Sequence, residues 1–131
     1  MNREPIVVQE STRKWETWPD ERIAEKGLVY LKTLLSGNLT HSEALTMGIA
    51  KILPTETLRE HRHLQGEIYL VLEGTGSVTI AGETRSVGAG TSVFIPGNAL
   101  HSCENTGEGD LRFAYVFPAN SFEEVEYVFD E

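Results

Sequence analysis

The stretch His61-Arg62-His63-Leu64-Gln65-Gly66-Glu67-Ile68-Tyr69-Leu70-Val71-Leu72-Glu73-Gly74 decides how this chain is read. Two histidines stand at i and i+2, a glutamate follows the second at i+4, and an apolar run then closes on a glycine. Side chains alternate along an extended strand, so His61 and His63 point to one side and can grip a single ion. Gln65-Gly66 reads as a bend, after which Glu67 can offer a carboxylate oxygen from the neighbouring strand. Imidazole together with carboxylate suits a divalent transition metal better than calcium or a thiolate-seeking ion. A His-x-His pair also arises by chance on surface strands, so a further donor matters. His101 supplies it, preceded by Gly90-Thr91-Ser92-Val93-Phe94-Ile95-Pro96 and followed by Asn105.

With both segments in hand the chain resembles the cupin superfamily. The first cupin motif, Gly-x5-His-x-His-x3-4-Glu-x6-Gly, is matched at His61, His63, Glu67 and Gly74. The second, Gly-x5-Pro-x-Gly-x2-His-x3-Asn, is matched at Gly90, Pro96, His101 and Asn105. Thr55 and Asn98 stand where the motifs have glycines, and neither is a ligand. Asn tolerates positive φ better than other non-glycine residues, so the turn before His101 survives the change. The resemblance implies an all-β, single-domain cupin: a double-stranded β-helix, or jelly-roll-like β-barrel, holding a divalent metal on three histidines and one glutamate.

The bulk properties fit one such domain. A chain of 131 residues buries a core without disulfide staples. A formal charge of -9 argues against a nucleic-acid groove or an anionic membrane as partner. The lone cysteine, Cys103, has no partner for an internal disulfide, and no N-terminal apolar stretch reads as a signal peptide or a span. The expectation is a soluble cytoplasmic protein.

Residues 1–26 read as a polar N-terminal extension, and 27–131 as the barrel domain. In the extension, Ile6-Val7-Val8 suggests an edge strand and Ser11-Thr12-Arg13-Lys14 a turn or short helix start. Trp15 and Trp18, three apart, would share one side of a helical turn and pack an end of the barrel. Leu28–Leu35 and Ala44–Leu53 are short apolar runs bounded by turn residues and read as strands. His41, between them, has no partner at ligand spacing and reads as a surface residue. Ser77–Ile80, Glu83–Val87 and Leu111–Phe117 continue the series, with Gly-containing turns between. The tail Ser121–Phe129 reads as a last edge strand or a capping segment. Cys103 reads as a buried structural thiol.

Three imidazoles and one carboxylate leave a divalent ion with net positive charge and room for a further ligand, which suits Lewis-acid or dioxygen chemistry. Manganese, iron, cobalt, nickel, copper and zinc all accept such donors. Tyr69 lies two residues after Glu67 and shares its face. A phenol ordinarily titrates near pH ~10, and a nearby cation lowers that value toward a usable base. A metal-bound carboxylate substrate could therefore lose its α-proton to Tyr69 and expel a β leaving group.

Nearly the whole chain, notably Glu67-Ile68-Tyr69, Ile95–Ala99, Phe117-Pro118 and Phe122–Tyr127, is similar to the small cupin lyases that cleave dimethylsulfoniopropionate in marine bacteria. That resemblance implies ligands at His61, His63, Glu67 and His101, a base at Tyr69 and a second pocket tyrosine at Tyr127. Trp15, Trp18, Tyr30, Phe113 and Tyr127 are candidate walls for a sulfonium group, which binds aromatic faces. Two other classes share the ligand pattern: a cupin dioxygenase or isomerase, and a non-catalytic metal-dependent binding protein. A homodimer is expected.

Overall fold

The structure, a computed structural model, describes residues 4–129. Nine strands form two antiparallel sheets: β1 (Tyr30–Leu35), β2 (Thr46–Ile52), β3 (Thr57–His61), β4 (Glu67–Glu73), β5 (Thr75–Ile80), β6 (Glu83–Gly88), β7 (Ser92–Ile95), β8 (His101–Asn105) and β9 (Leu111–Phe117). One sheet runs β1-β2-β9-β4-β7 and the other β3-β8-β5-β6. From β2 to β5, and again from β6 to β9, each successive strand crosses to the other sheet, which is the jelly-roll-like barrel that the sequence leads one to expect. Two short helices, α1 (Asp20–Lys26) and α2 (Gly37–Thr40), lie outside it.

Alternation of side chains builds the interior. In β4, Glu67, Tyr69 and Val71 are buried while Ile68, Leu70 and Leu72 are exposed. In β9, Leu111, Phe113, Tyr115 and Phe117 are all buried, and Phe113 and Phe117 are among the largest enclosed side chains. Gly48, Tyr115, Tyr69 and Val93 fall side by side in register on the inner face. Gly48 has to be small: a Cβ there would collide with the Tyr115 hydroxyl and come 2.7 Å from the Lys32 carbonyl.

Several expectations need correction. Ile6-Val7-Val8 belongs to no strand. The turn or short helix start expected at Ser11–Lys14 is a 3-10 helix, Glu10–Thr12, that begins one residue earlier. Trp15 and Trp18 do not share a helical turn: Glu16 makes a β-bridge with Leu31, the chain is extended there, and residues three apart point oppositely. Trp15 lies against Lys32 and Lys51, whereas Trp18 packs on Tyr127 and Phe129. Helix α1 was not anticipated. The tail is a capping segment, joined to the end of β3 by paired hydrogen bonds between Arg62 and Val128 of 3.0 and 2.9 Å. No helix among the described residues is long and apolar enough to cross a membrane.

Candidate metal centre

The candidate ligands converge from both sheets. His61 and His101 are directly opposed on β3 and β8, and His63 follows in the turn after β3. Glu67 enters from the facing sheet rather than from a neighbouring strand, because β3 pairs with β8 and β4 with β7 and β9. Each of the four is at least 97% enclosed, with exposures of 1–3%. One potential ligand nitrogen from each of the three histidines lies within 4.8 Å of the others. Glu67 Oε1 stands 3.1 Å from His63 Nε2 and 3.4 Å from His101 Nε2.

Local backbone fixes each imidazole. His61 Nδ1 donates to the Arg59 carbonyl at 2.8 Å, His63 Nδ1 to Gln65 at 2.9 Å, and His101 Nδ1 to Ala99 at 2.9 Å. A carbonyl can only accept, so Nδ1 of each ring carries a proton and Nε2 is the atom turned toward the ligand position. His61 Nε2 and His101 Nε2 are buried and have no hydrogen-bond partner. Burial, with the charge of His101, pushes His61 down to about 3, so its ring is neutral at physiological pH. Three Nε2 atoms thus converge beside the Glu67 carboxyl group inside a water-poor space, where polar atoms without partners cost energy that a bound cation would return. The donors fit a divalent transition metal.

The second motif braces this geometry. Asn105 donates to the carbonyls of Ile52 and Gly109, both at 2.8 Å, and accepts from the Gly107 amide at 2.8 Å, tying the end of β8 to β2. Asn98 adopts φ 64° and its amide donates to the His63 carbonyl at 2.7 Å, linking the His101 turn to the His63 turn. Thr55, at the other departure from the glycine pattern, has φ 70°.

Aromatic rings close the centre. Tyr127 stacks on His61 with centroids 4.9 Å apart and an interplanar angle of 13°, and lies 5.2 Å from His63. Phe129 lies 5.0 Å from His61, and Phe117 lies 5.1 Å from His63. Tyr69 occupies the interior beyond Glu67, its ring 4.3 Å from Phe113. Burial first and the Glu67 charge second push both Tyr69 and Tyr127 well above the ordinary phenol range. Cys103 is buried on the same strand as His101 and is pushed up to about 12 by burial, as expected of an inert structural thiol.

Of the candidate walls, Tyr127 and Phe113 line the interior and Trp18 backs Tyr127, but Trp15 and Tyr30 lie against Lys51. Phe117 and Phe129 were missed as walls. The i, i+2 spacing of Val125, Tyr127 and Phe129 was the signal that could have found Phe129. Outside the rings lies a cleft of about 610 Å³ lined by Arg62, Gln65, Asn98, Glu124 and Glu126, with His63 also in its wall.

The cupin domain profile matches residues 48–117, which contain every candidate ligand. The chain is 45% identical over 103 residues to the dimethylsulfoniopropionate lyase DddW of Ruegeria pomeroyi, covering 79% of this chain and 67% of that protein. It is 35% identical over 92 residues to an oxalate-binding protein of Thermotoga maritima, covering 70% and 76% respectively. A solved structure from Thermotoga maritima, described as a predicted oxalate decarboxylase, superposes with a TM-score of 0.75 at 31% identity, covering 87% of this chain and 99% of that one.

Proposed function

The chain belongs to the cupin family, and from that premise we propose that it is a metal-dependent carbon-sulfur lyase that converts dimethylsulfoniopropionate to dimethyl sulfide and acrylate. The observation that carries this reading is the placement of Tyr69 directly after Glu67 on the inner face of β4, in the enclosed interior that also holds the three histidines. His61, His63, Glu67 and His101 would hold the metal. When bound, a divalent ion supplies Lewis-acid polarisation of a substrate carboxylate and a positive charge that favours phenolate.

The chain's own residues do the rest. Tyr69, held against Phe113, would act as the phenolate that a bound cation favours, having first given up its own proton, and accepts the α-proton at Oη to become the neutral phenol. The electrons of the Cα–H bond form the double bond, and those of the Cβ–S bond leave with sulfur as neutral dimethyl sulfide. Tyr127, Phe117 and Phe129 exclude water around the histidines, so that the proton passes to the phenol oxygen. Tyr127 presents an aromatic face of the kind that attracts an onium group, worth about 0.5 to 2 kcal/mol.

The test is headspace dimethyl sulfide from protein loaded anaerobically with iron, manganese, cobalt, nickel or zinc in turn. Tyr69→Phe should keep the metal and lose roughly 100-fold or more in kcat, the usual weight of a general base. His63→Ala should lose both. A metal-loaded protein that releases no dimethyl sulfide, or a Tyr69→Phe variant of undiminished kcat, sinks this reading. The 35% identity to an oxalate-binding protein favours, as second reading, a cupin that takes another small carboxylate. Carboxylate binding without dimethyl sulfide release would support it.

A further inference from the structure

The four candidate ligands are enclosed, so a substrate has to pass what covers them. Tyr127 and Phe129 lie 4.9 and 5.0 Å from the His61 ring and are themselves only half-buried, while His61 beneath them is 1% exposed. Trp18 completes this cap, 5.8 Å from Tyr127 and 6.3 Å from Phe129. The alternate tail residues Glu124, Glu126 and Val128 line instead the cleft beside His63. There two carboxylates stand against the one guanidinium of Arg62, so the cap is the better approach for an anion.

Lys26, the last residue of α1, rests on the cap, with Nζ 4.5 Å from the centre of the Trp18 ring and 5.3 Å from that of Phe129. Phe129 thus touches both the ammonium and a metal-ligand ring. Arg22 of the same helix has Glu25 at 2.7 Å, whereas Lys26 meets no carboxylate at ion-pair distance among the described residues. Burial first and the Arg22 charge second hold its ammonium below the usual lysine range, against the opposing charge of Glu25. The indole under it carries a second donor in want of an acceptor, since Trp18 Nε1 is buried and unpartnered. Such donors cost energy that an incoming acceptor returns.

We infer that Lys26, lying over Trp18 and Phe129, draws the substrate carboxylate to the cap of the metal centre and helps to hold it there. This rests on the reading of the site as one for a small carboxylate, and not on which reaction follows. A formal charge of -9 disfavours an anion over most of the surface, so a cation at the cover of the site supplies the local attraction that the rest of the chain withholds. The Lys26 charge reaches inward as far as His61, where it adds to the forces that keep that ring unprotonated. The same charge repels an onium group, so a substrate with both ends is turned carboxylate first, its onium end trailing over the aromatic faces. A purely structural lysine, suited to the end of a helix and clamping two rings, would affect stability and leave carboxylate affinity alone.

Calorimetric titration of zinc-loaded protein with acrylate at low salt tests this, with circular dichroism and bound zinc measured on each variant as checks on the fold and the centre. Lys26→Met keeps an unbranched apolar chain on the rings and suits the helix. It should weaken acrylate about four- to fifteen-fold, the Coulomb attraction of unit charges roughly 10 Å apart at an effective dielectric of about 20 to 40. Lys26→Arg, which keeps the charge, should bind nearly as the wild type does. Added salt should weaken acrylate in the wild type and in Lys26→Arg, and much less in Lys26→Met. An affinity unchanged in Lys26→Met, or a loss equal in Lys26→Arg, would overturn the role of Lys26 and leave the carboxylate site standing. A zinc-loaded wild type that binds no acrylate would overturn both.

Discussion

Acid should unfold the metal-free chain earlier than its carboxylates alone require, and His61 is the reason. Its ring is 1% exposed, faces His101, and is pushed from the usual 6.5 down to about 3. The unfolded chain takes up this proton below pH 6.5, whereas the folded chain refuses it until about 3. The unfolded state therefore binds more protons in that window, and stability falls as pH falls through it. The full difference is on the order of 5 kcal/mol, with a slope of about 1.4 kcal/mol per pH unit. Between pH 6.5 and 5, above the main carboxylate range, the expected loss is about 2 kcal/mol, a large share of a total of 5–15. Urea denaturation of chelator-stripped protein at half-unit intervals reads this directly. His61→Asn is the control: its amide can still donate to Arg59 but does not titrate. Its slope should be shallower by close to one proton. A wild-type stability flat from pH 6.5 to 5, or an identical slope in His61→Asn, refutes the argument. Saturating divalent metal should displace the whole curve upward, by about 2.7 kcal/mol at 100 times the dissociation constant, because only neutral imidazoles bind it.

Two substitutions check the backbone reading. Thr55 is β-branched yet held at φ 70°, which costs about 1–2 kcal/mol relative to a residue free of Cβ. Thr55→Gly should therefore raise the unfolding free energy by a net of about 0.5–1 kcal/mol after glycine's greater chain entropy, read as a higher urea midpoint, and a lower midpoint would disprove the strain. Gly48→Ala should lower stability by about 1–3 kcal/mol, since the new Cβ meets both the Tyr115 ring and the Lys32 carbonyl; no change would mean that Tyr115 can move aside freely.

The barrel was legible because its strands carry period-two patterns that do not depend on distant context. Glu67, Tyr69 and Val71 inward and Ile68, Leu70 and Leu72 outward can be read from sequence alone. The Asn98 departure was legible in the same way, since a motif glycine marks a φ requirement that Asn tolerates, and Asn98 takes positive φ; Thr55 also takes positive φ, which the sequence reading did not draw. What was not legible depended on partners far along the chain. Trp15 and Trp18 share a face in a helix and oppose each other in an extended segment; the choice was made by the Glu16–Leu31 bridge. Helix α1 is a mixed-charge stretch with little apolar stripe, and its sequence competes weakly between helix and coil. Tyr127 reaches His61 through the pairing of Val128 with Arg62; the resemblance implied its place in the pocket, but the tail's own local pattern does not fix that contact.

The centre combines both kinds of information. Each imidazole is oriented by a carbonyl only two residues away in its own segment, Arg59 for His61, Gln65 for His63 and Ala99 for His101. Ligand direction is therefore encoded locally and is set as soon as each strand end or turn forms. Convergence is not: it requires β3 to pair with β8 and the facing sheet to deliver Glu67. Folding must bring together pre-aimed Nε2 atoms and a carboxyl group in a water-poor space, and the stability lost in doing so is returned when a cation binds. A site built in this way stores binding energy for a metal in the fold, which is why loss of metal and loss of acid stability should track each other through His61.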